Sequence, residues 1–84
     1  MKTIQELGEV VASVRRKLRL KQKDVAEQAG ITPESLLRFE RGQLSEFGSR
    51  KLLAVLAVLG MEITFVKTGT SGSLDELRRE RGGT

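Results

Sequence analysis

Residues 22–42 read QKDVAEQAGITPESLLRFERG, two short helical patterns on either side of a glycine turn. The Ala-Gly pair ends the first pattern, because glycine readily adopts the left-handed conformation that closes a helix. The Thr-Pro pair opens the second pattern with a capping hydroxyl and a proline at the first helical position. This stretch therefore predicts one helix over 22–29 and a second over 33–41, which Gly42 ends.

Two further helical patterns flank this stretch. On its N-terminal side, apolar residues recur every three or four positions over 4–18, and Thr3 and Glu6 have the spacing of a capping box. On its C-terminal side, the apolar run Leu52–Leu59 predicts a helix that begins at 45–49 and ends at the following glycine. The chain is therefore expected to fold as a mainly α domain.

A strand pattern follows the last of these helices. Residues 61–66 are rich in β-branched types and alternate apolar and polar side chains over their first five positions. A strand must pair with another strand, and the chain contains no second strand candidate. The simplest partner is the same strand of a second subunit, which predicts a homodimer. Its interface is predicted to contain Met61, Ile63, Phe65 and Val58.

A polar segment completes the organisation of the chain. Residues 67–73, KTGTSGS, have the composition of a flexible linker, and residues 74–81 allow one or two helical turns. We therefore divide the chain into a domain at 1–66, with its strand at 61–66, and a flexible polar tail at 67–84.

The composition excludes several classes of function. The 84 residues contain no Cys, which rules out disulfides and thiolate metal sites, and no His, the commonest general base and zinc ligand. We therefore expect neither an enzyme nor a bound metal or cofactor. Fifteen Lys and Arg against eleven Asp and Glu give a net charge of +4, which favours a polyanionic partner.

No targeting or membrane pattern is visible in the sequence. The N-terminus lacks an apolar signal core, and the run Leu52–Leu59 is far shorter than the ~20 residues that span a bilayer. We expect a soluble, cytoplasmic protein with no membrane partner.

The paired helices of residues 22–41 have the spacing of a helix-turn-helix. This motif presents its second helix to the major groove of DNA, with the N-terminal half of that helix facing the bases. With its Gln-x-x-x-Ala, Ala-Gly-Ile-Thr and Glu-x-Gly elements at full spacing, the sequence resembles the Xre, or lambda-repressor-like, helix-turn-helix family from about Leu7 to Leu59. The resemblance implies a lambda-repressor-like domain of four or five helices that binds DNA sequence-specifically.

The resemblance also implies which side chains contact DNA. The base-reading positions correspond to Pro33, Glu34 and Arg38, and Arg38 is the strongest candidate because a guanidinium pairs with two acceptors of guanine. The positions on the DNA backbone correspond to Gln22, Thr32 and Ser35. In some relatives the residues matching Arg15 and Glu40 form a partly buried ion pair, and we interpret both as structural.

Two positions depart from the family pattern. Lys21 stands where the family often has a threonine cap, which weakens the start of the second helix but adds a charge that can contact phosphate. Leu37 replaces a commonly polar residue. It is either a contact to a thymine methyl or a partly exposed side chain without a role.

A basic cluster precedes the motif. Six of the nine residues from Arg15 to Lys23 are basic, and all except Arg15 are interpreted as phosphate contacts. The alternative is a solvated helix end, where cations are favoured by the helix dipole. The basic cluster comprises Arg16, Lys17, Arg19, Lys21 and Lys23.

The end of the domain, Leu-Gly-Met-Glu-Ile-Thr-Phe at 59–65, makes the chain similar to HipB-like antitoxins. That resemblance implies C-terminal strands paired across the dimer, repression of the protein's own operon and a HipA-like kinase toxin as partner. Two reading helices related by a two-fold axis require a palindromic operator. Two alternatives stay open: a stand-alone or phage-like regulator, which the lack of a neighbouring toxin gene would favour, and a protein-interaction adaptor without DNA, against which the basic cluster argues.

Overall fold

The computed structural model describes residues 2–68, which contain four helices. They are α1 (Ile4–Lys17), α2 (Gln22–Ala29), α3 (Pro33–Glu40) and α4 (Ser49–Val58). All four predicted helices are confirmed with ends within one residue, and the fifth helix that the resemblance allowed is absent from residues 2–68. None of the four is long and apolar enough to cross a membrane. The predicted turns at 74–81, like the rest of the tail beyond residue 68, lie outside the described residues.

Side-chain hydroxyls fix the starts of α1 and α3. The Thr3 hydroxyl accepts a hydrogen bond from the Glu6 amide at 3.1 Å, and the Thr32 hydroxyl accepts one from the Ser35 amide at 3.1 Å. Each bond satisfies an amide that has no partner within its own helix. The residue before α2, Lys21, makes no side-chain cap bond, as expected where lysine replaces a capping threonine.

A residue with positive φ follows each helix within two positions. It is a glycine after α2, α3 and α4, but after α1 it is Arg19, with a φ of 58°. The Arg19 amide donates to the Arg16 carbonyl at 2.9 Å and the Leu20 amide donates to the Arg15 carbonyl at 3.1 Å, which closes the helix. A non-glycine residue in the left-handed region costs roughly 1–2 kcal/mol. Arg19 therefore carries a conformational cost that glycine would avoid.

The core lies where the four helices meet. Ala26 is fully buried and lets α2 approach its neighbours closely. The Phe39 ring stacks on Phe47 of the α3–α4 loop, with centroids 4.0 Å apart and an interplanar angle of 6°. This contact holds the loop against the core. The largest fully buried side chains are Phe39, Leu36, Val11, Val25 and Val55.

Gly8 brings the backbones of α1 and α3 into direct contact. It is buried within α1, and a Cβ built on it would overlap the carbonyl oxygen of Phe39. No residue with a side chain fits there unless the two helices separate. Sequence reasoning missed this position, although a glycine on the apolar face of a helical pattern is a signal for close packing.

Residues 61–67 form neither a helix nor a strand within the described chain. Met61 and Val58, both predicted in the dimer interface, are partly buried against the core of their own subunit. Ile63 and Phe65 are exposed. A single copy offers no second strand for a ladder, so the strand at 61–66 stays a prediction that requires a partner.

Replacing Gly8 by Ala is expected to destabilise the domain. A mid-helix Gly→Ala change normally stabilises by about 0.5–1 kcal/mol, but here the added methyl group must push α1 and α3 apart, at a cost of about 1–3 kcal/mol or more. The urea midpoint of the variant should therefore fall. Gly48→Ala is the matched control, because Gly48 has negative φ and nothing within 4 Å of an added Cβ. A Gly8→Ala variant as stable as the native chain would contradict the close contact.

Candidate nucleic-acid interface

One face of α3 is anchored in the core and the other faces outward. Leu36 and Phe39 are fully buried. The three predicted base-reading residues, Pro33, Glu34 and Arg38, are all exposed. The apolar face therefore fixes the helix while leaving these three side chains free to meet a ligand.

Two side-chain hydroxyl groups, those of Thr32 and Ser35, lie at the start of α3. The Thr32 hydroxyl accepts the capping bond from the Ser35 amide, and its own hydrogen remains available to donate to an acceptor such as a phosphate oxygen. Ser35 is half-buried and Leu37 is half-buried. Thr32 and Ser35 thus flank the exposed positions at the end of α3 that carries the positive helix dipole.

A buried ion pair ties α3 to α1. The carboxylate of Glu40 accepts from Arg15 Nε at 2.7 Å and from Arg15 Nη2 at 2.9 Å, a two-pronged contact. The Glu40 and Arg15 side chains are only 2% and 11% exposed. The third guanidinium nitrogen, Nη1, donates to the Leu20 carbonyl at 2.8 Å. Arg15 therefore connects α1, the following loop and the end of α3.

Gln22 completes this network from α2. Its Nε2 donates to Glu40 Oε1 at 2.8 Å. The phosphate contact expected of Gln22 stays a prediction, because the bond to Glu40 takes only part of the hydrogen-bonding capacity of the side-chain amide. One amide hydrogen and the amide oxygen are not used in that bond. Gln22 consequently acts first as a structural link between α2 and α3.

The basic cluster is exposed along its whole length. All five of its side chains are exposed, from the last turn of α1 through the loop to the first turn of α2. Arg15 and Gln22, which lie within the same stretch of chain, both bond to Glu40 at the end of α3. The network therefore holds the basic cluster beside α3. Its positive charge and the exposed face of α3 form one candidate surface for a polyanion.

The chain matches known proteins at the level of family and fold. Residues 1–66 match the family described as "Helix-turn-helix domain". Among solved structures, the chain is similar to the clp gene regulator ClgR from Corynebacterium glutamicum, with a TM-score of 0.66 and 25% identity over 95% of this chain and 73% of that chain. No curated protein matches the sequence.

Removing the carboxylate of the network should strongly destabilise the domain. Glu40→Ala leaves the nearly buried Arg15 guanidinium without its counter-charge, and breaking a buried pair in this way costs about 3–5 kcal/mol. Urea denaturation followed by circular dichroism measures the loss.

Two further variants separate the lost charge pair from lost packing. The double change Arg15→Met with Glu40→Leu should recover much of the stability, because it leaves no lone charge in the core. Glu27→Ala removes an exposed carboxylate from α2 and should change stability by less than about 0.5 kcal/mol. If Glu40→Ala behaves like Glu27→Ala, the network does not hold α3.

Proposed function

The chain belongs to the helix-turn-helix domain family, and on that premise we propose that it is a DNA-binding transcription regulator, a binding protein and not an enzyme. The observation that carries the proposal is α3 itself, anchored by Leu36 and Phe39 and exposing Pro33, Glu34 and Arg38 beside the basic cluster. The similarity to ClgR, which is named as a gene regulator, supports the same class of function.

Sequence preference is assigned to the exposed residues of α3. The Arg38 guanidinium can donate two hydrogen bonds to guanine, and such a pair discriminates against other bases by about 1–3 kcal/mol. The Glu34 carboxylate can accept from the amino group of cytosine. Pro33 lies at the first turn, where its ring can contact a thymine methyl. These contacts need the major groove, whose width admits one helix.

Affinity is assigned to the basic cluster and the hydroxyls at the start of α3. Lysine and arginine side chains that neutralise phosphates release counterions, which makes binding fall steeply with salt. Arg19 supports this role. It holds positive φ, at a cost that glycine would remove, and backbone cost of this kind concentrates at functional positions. Thr32 and Ser35 add hydroxyl contacts to the sugar-phosphate backbone.

The regulator is proposed to act as a homodimeric repressor. Two copies related by a two-fold axis would present two α3 helices to successive major grooves on one side of the duplex. The operator is then a palindrome with half-sites about 34–36 Å apart. Binding at such a site blocks access of other proteins to the same DNA.

A narrower proposal is that the chain is the antitoxin of a HipA-type operon. Its support is the C-terminal sequence after α4, whose apolar residues at 61, 63 and 65 match the pattern of HipB-like proteins. The partner would be a kinase-type toxin, and the antitoxin would repress its own operon. The similarity to ClgR, which is named as a gene regulator, is equally consistent with the alternative of a stand-alone regulator.

The identity of the base-reading residue is tested by gel shift on DNA from upstream of the protein's own gene. Arg38→Ala should lower the preference for that DNA over random DNA by about 5- to 150-fold per contact, which corresponds to about 1–3 kcal/mol. Lys23→Ala is the contrasting variant, because removal of a phosphate contact weakens binding to both DNAs and lowers the salt slope by about 0.9. Equal affinity of the native chain for the two DNAs would overturn the proposal of a sequence-specific reader.

The narrower proposal is tested by coexpression with the product of the adjacent gene. An antitoxin should relieve growth arrest caused by that product and should copurify with it, whereas a chain with Arg38→Ala should still do so because the toxin contact does not require operator binding. Growth arrest that persists in the presence of the native chain would favour the regulator without a toxin.

A further inference from the structure

An apolar groove of ≈ 440 Å³ lies between α1, α4 and the segment that follows α4. Its polar lining is confined to Lys2 and Thr3 near the start of α1 and to Glu62 and Thr64 of the segment. Its apolar walls include Ile4, Leu7, Val10, Leu52, Leu56 and Met61. The groove is on the opposite end of α1 from the basic cluster.

The segment that borders the groove exposes apolar side chains. Ile63, Phe65 and Val66 are 46%, 72% and 77% exposed. Ile63 also lines the groove, so the groove adjoins the exposed apolar part of the segment at this residue. Soluble monomers rarely expose contiguous apolar patches of this kind without a partner.

We propose that the groove receives Phe65 of a second copy of this chain, whose residues 61–66 pair antiparallel with the same residues about a two-fold axis at Ile63. The inference rests on the homodimer of the proposed function and adds its register and its contacts. A two-fold contact uses the same surface on both copies. Here each copy supplies one groove and one Phe65, as that symmetry requires.

The side chains select this register from the alternatives. With Ile63 opposite Ile63, Met61 faces Phe65 of the other copy and Glu62 faces Thr64, so Met61, Ile63 and Phe65 of both copies are matched on one face. If the two-fold axis lay at Glu62 instead, the two Glu62 carboxylates would be directly opposite each other, which is repulsive. If the axis lay at Thr64, Met61 would be opposite Lys67 and Glu62 opposite Val66. Registers displaced by one residue mix the apolar and polar faces.

The register brings Phe65 to the groove. Residues directly opposite each other on paired strands lie on the same face, about 4.5–5.5 Å apart. Met61 is a wall of the groove, and the Phe65 ring of the other copy is its cross-strand neighbour. That ring therefore projects over the groove lined by α1 and α4.

The exposed area of the segment favours a second copy as the occupant. Phe65 retains on the order of 100–180 Å² of exposed surface for a partner to cover. Six paired residues are far fewer than the roughly 20–30 that each partner contributes to a standard interface. The groove extends the contact to two helices of each copy.

Single cysteines test the register directly, because the chain has no native Cys. Ile63→Cys should form a disulfide-linked dimer under mild oxidation, since directly opposite residues have Cα atoms within bridging distance. Thr64→Cys is the matched control. In the proposed register it lies diagonally from its counterpart, about 7–8 Å away, which is beyond that distance. The register would be overturned if only Thr64→Cys crosslinked, if neither variant did, or if both crosslinked to the same extent.

The groove contact is tested by sedimentation of the full chain. Phe65→Ser should raise the dimer dissociation constant at least tenfold, whereas Val66→Ser, equally exposed but on the opposite face, should raise it less than threefold. Equal effects of the two substitutions would overturn the contact. A monomeric native chain would overturn both this inference and the proposed homodimer. If the chain still binds DNA sequence-specifically but Ile63→Cys does not crosslink, this inference alone is overturned.

Discussion

The buried carboxylate of Glu40 is the constraint on which the arrangement of the helices depends. A charge in the core is costly unless it is paired and hydrogen-bonded. Arg15 of α1 donates to both carboxylate oxygens, and Gln22 of α2 adds a second hydrogen bond to Oε1. The three helices must therefore meet at one point, and that point is the C-terminal end of α3, the helix that exposes Pro33, Glu34 and Arg38. Gly8 fixes a second point, where the backbones of α1 and α3 touch.

The stretch of chain from Arg15 to Lys23 contains residues that face the core and residues that face the solvent. Arg15 and Gln22 lie in the same stretch of chain as the basic cluster, yet both turn inward, while the other basic residues of that stretch stay in water. The basic residues of this stretch look alike in sequence, but Arg15 stabilises the core while the others remain exposed to solvent. Arg19 has a backbone conformation that suits glycine, but its side chain carries a positive charge to which the proposed function assigns a phosphate contact.

The opposite end of α1 has a different character. There the chain leaves an apolar groove and an uncovered apolar segment side by side. A second copy that covers both would set the distance between the two α3 helices, and with it the spacing of half-sites on DNA. If the proposed dimer forms, its stability and the recognition of an operator are linked through the two ends of α1.

Local signals in the sequence were sufficient for the secondary structure. Capping hydroxyls at Thr3 and Thr32, and the glycines after three helices, act on the residues next to them, so the bounds of the helices follow from the sequence. The exposed face of α3 also followed, because the apolar positions 36 and 39 leave only one orientation of a short helix against a core. The strand at 61–66 did not form in a single copy, since a ladder needs a partner that one chain lacks.

Contacts between distant residues could not be inferred in the same way. The pairing of Arg15 with Glu40 was available only through a family resemblance, and the bond from Gln22 to the same carboxylate had no signal in the sequence. Gly8 and Phe39 lie on α1 and α3, with α2 between them along the chain, so neither residue reveals the other. The groove is assembled from the start of α1, the middle of α4 and the segment after it. Such features arise from how helices pack in three dimensions, and neighbouring residues along the chain carry no record of that packing.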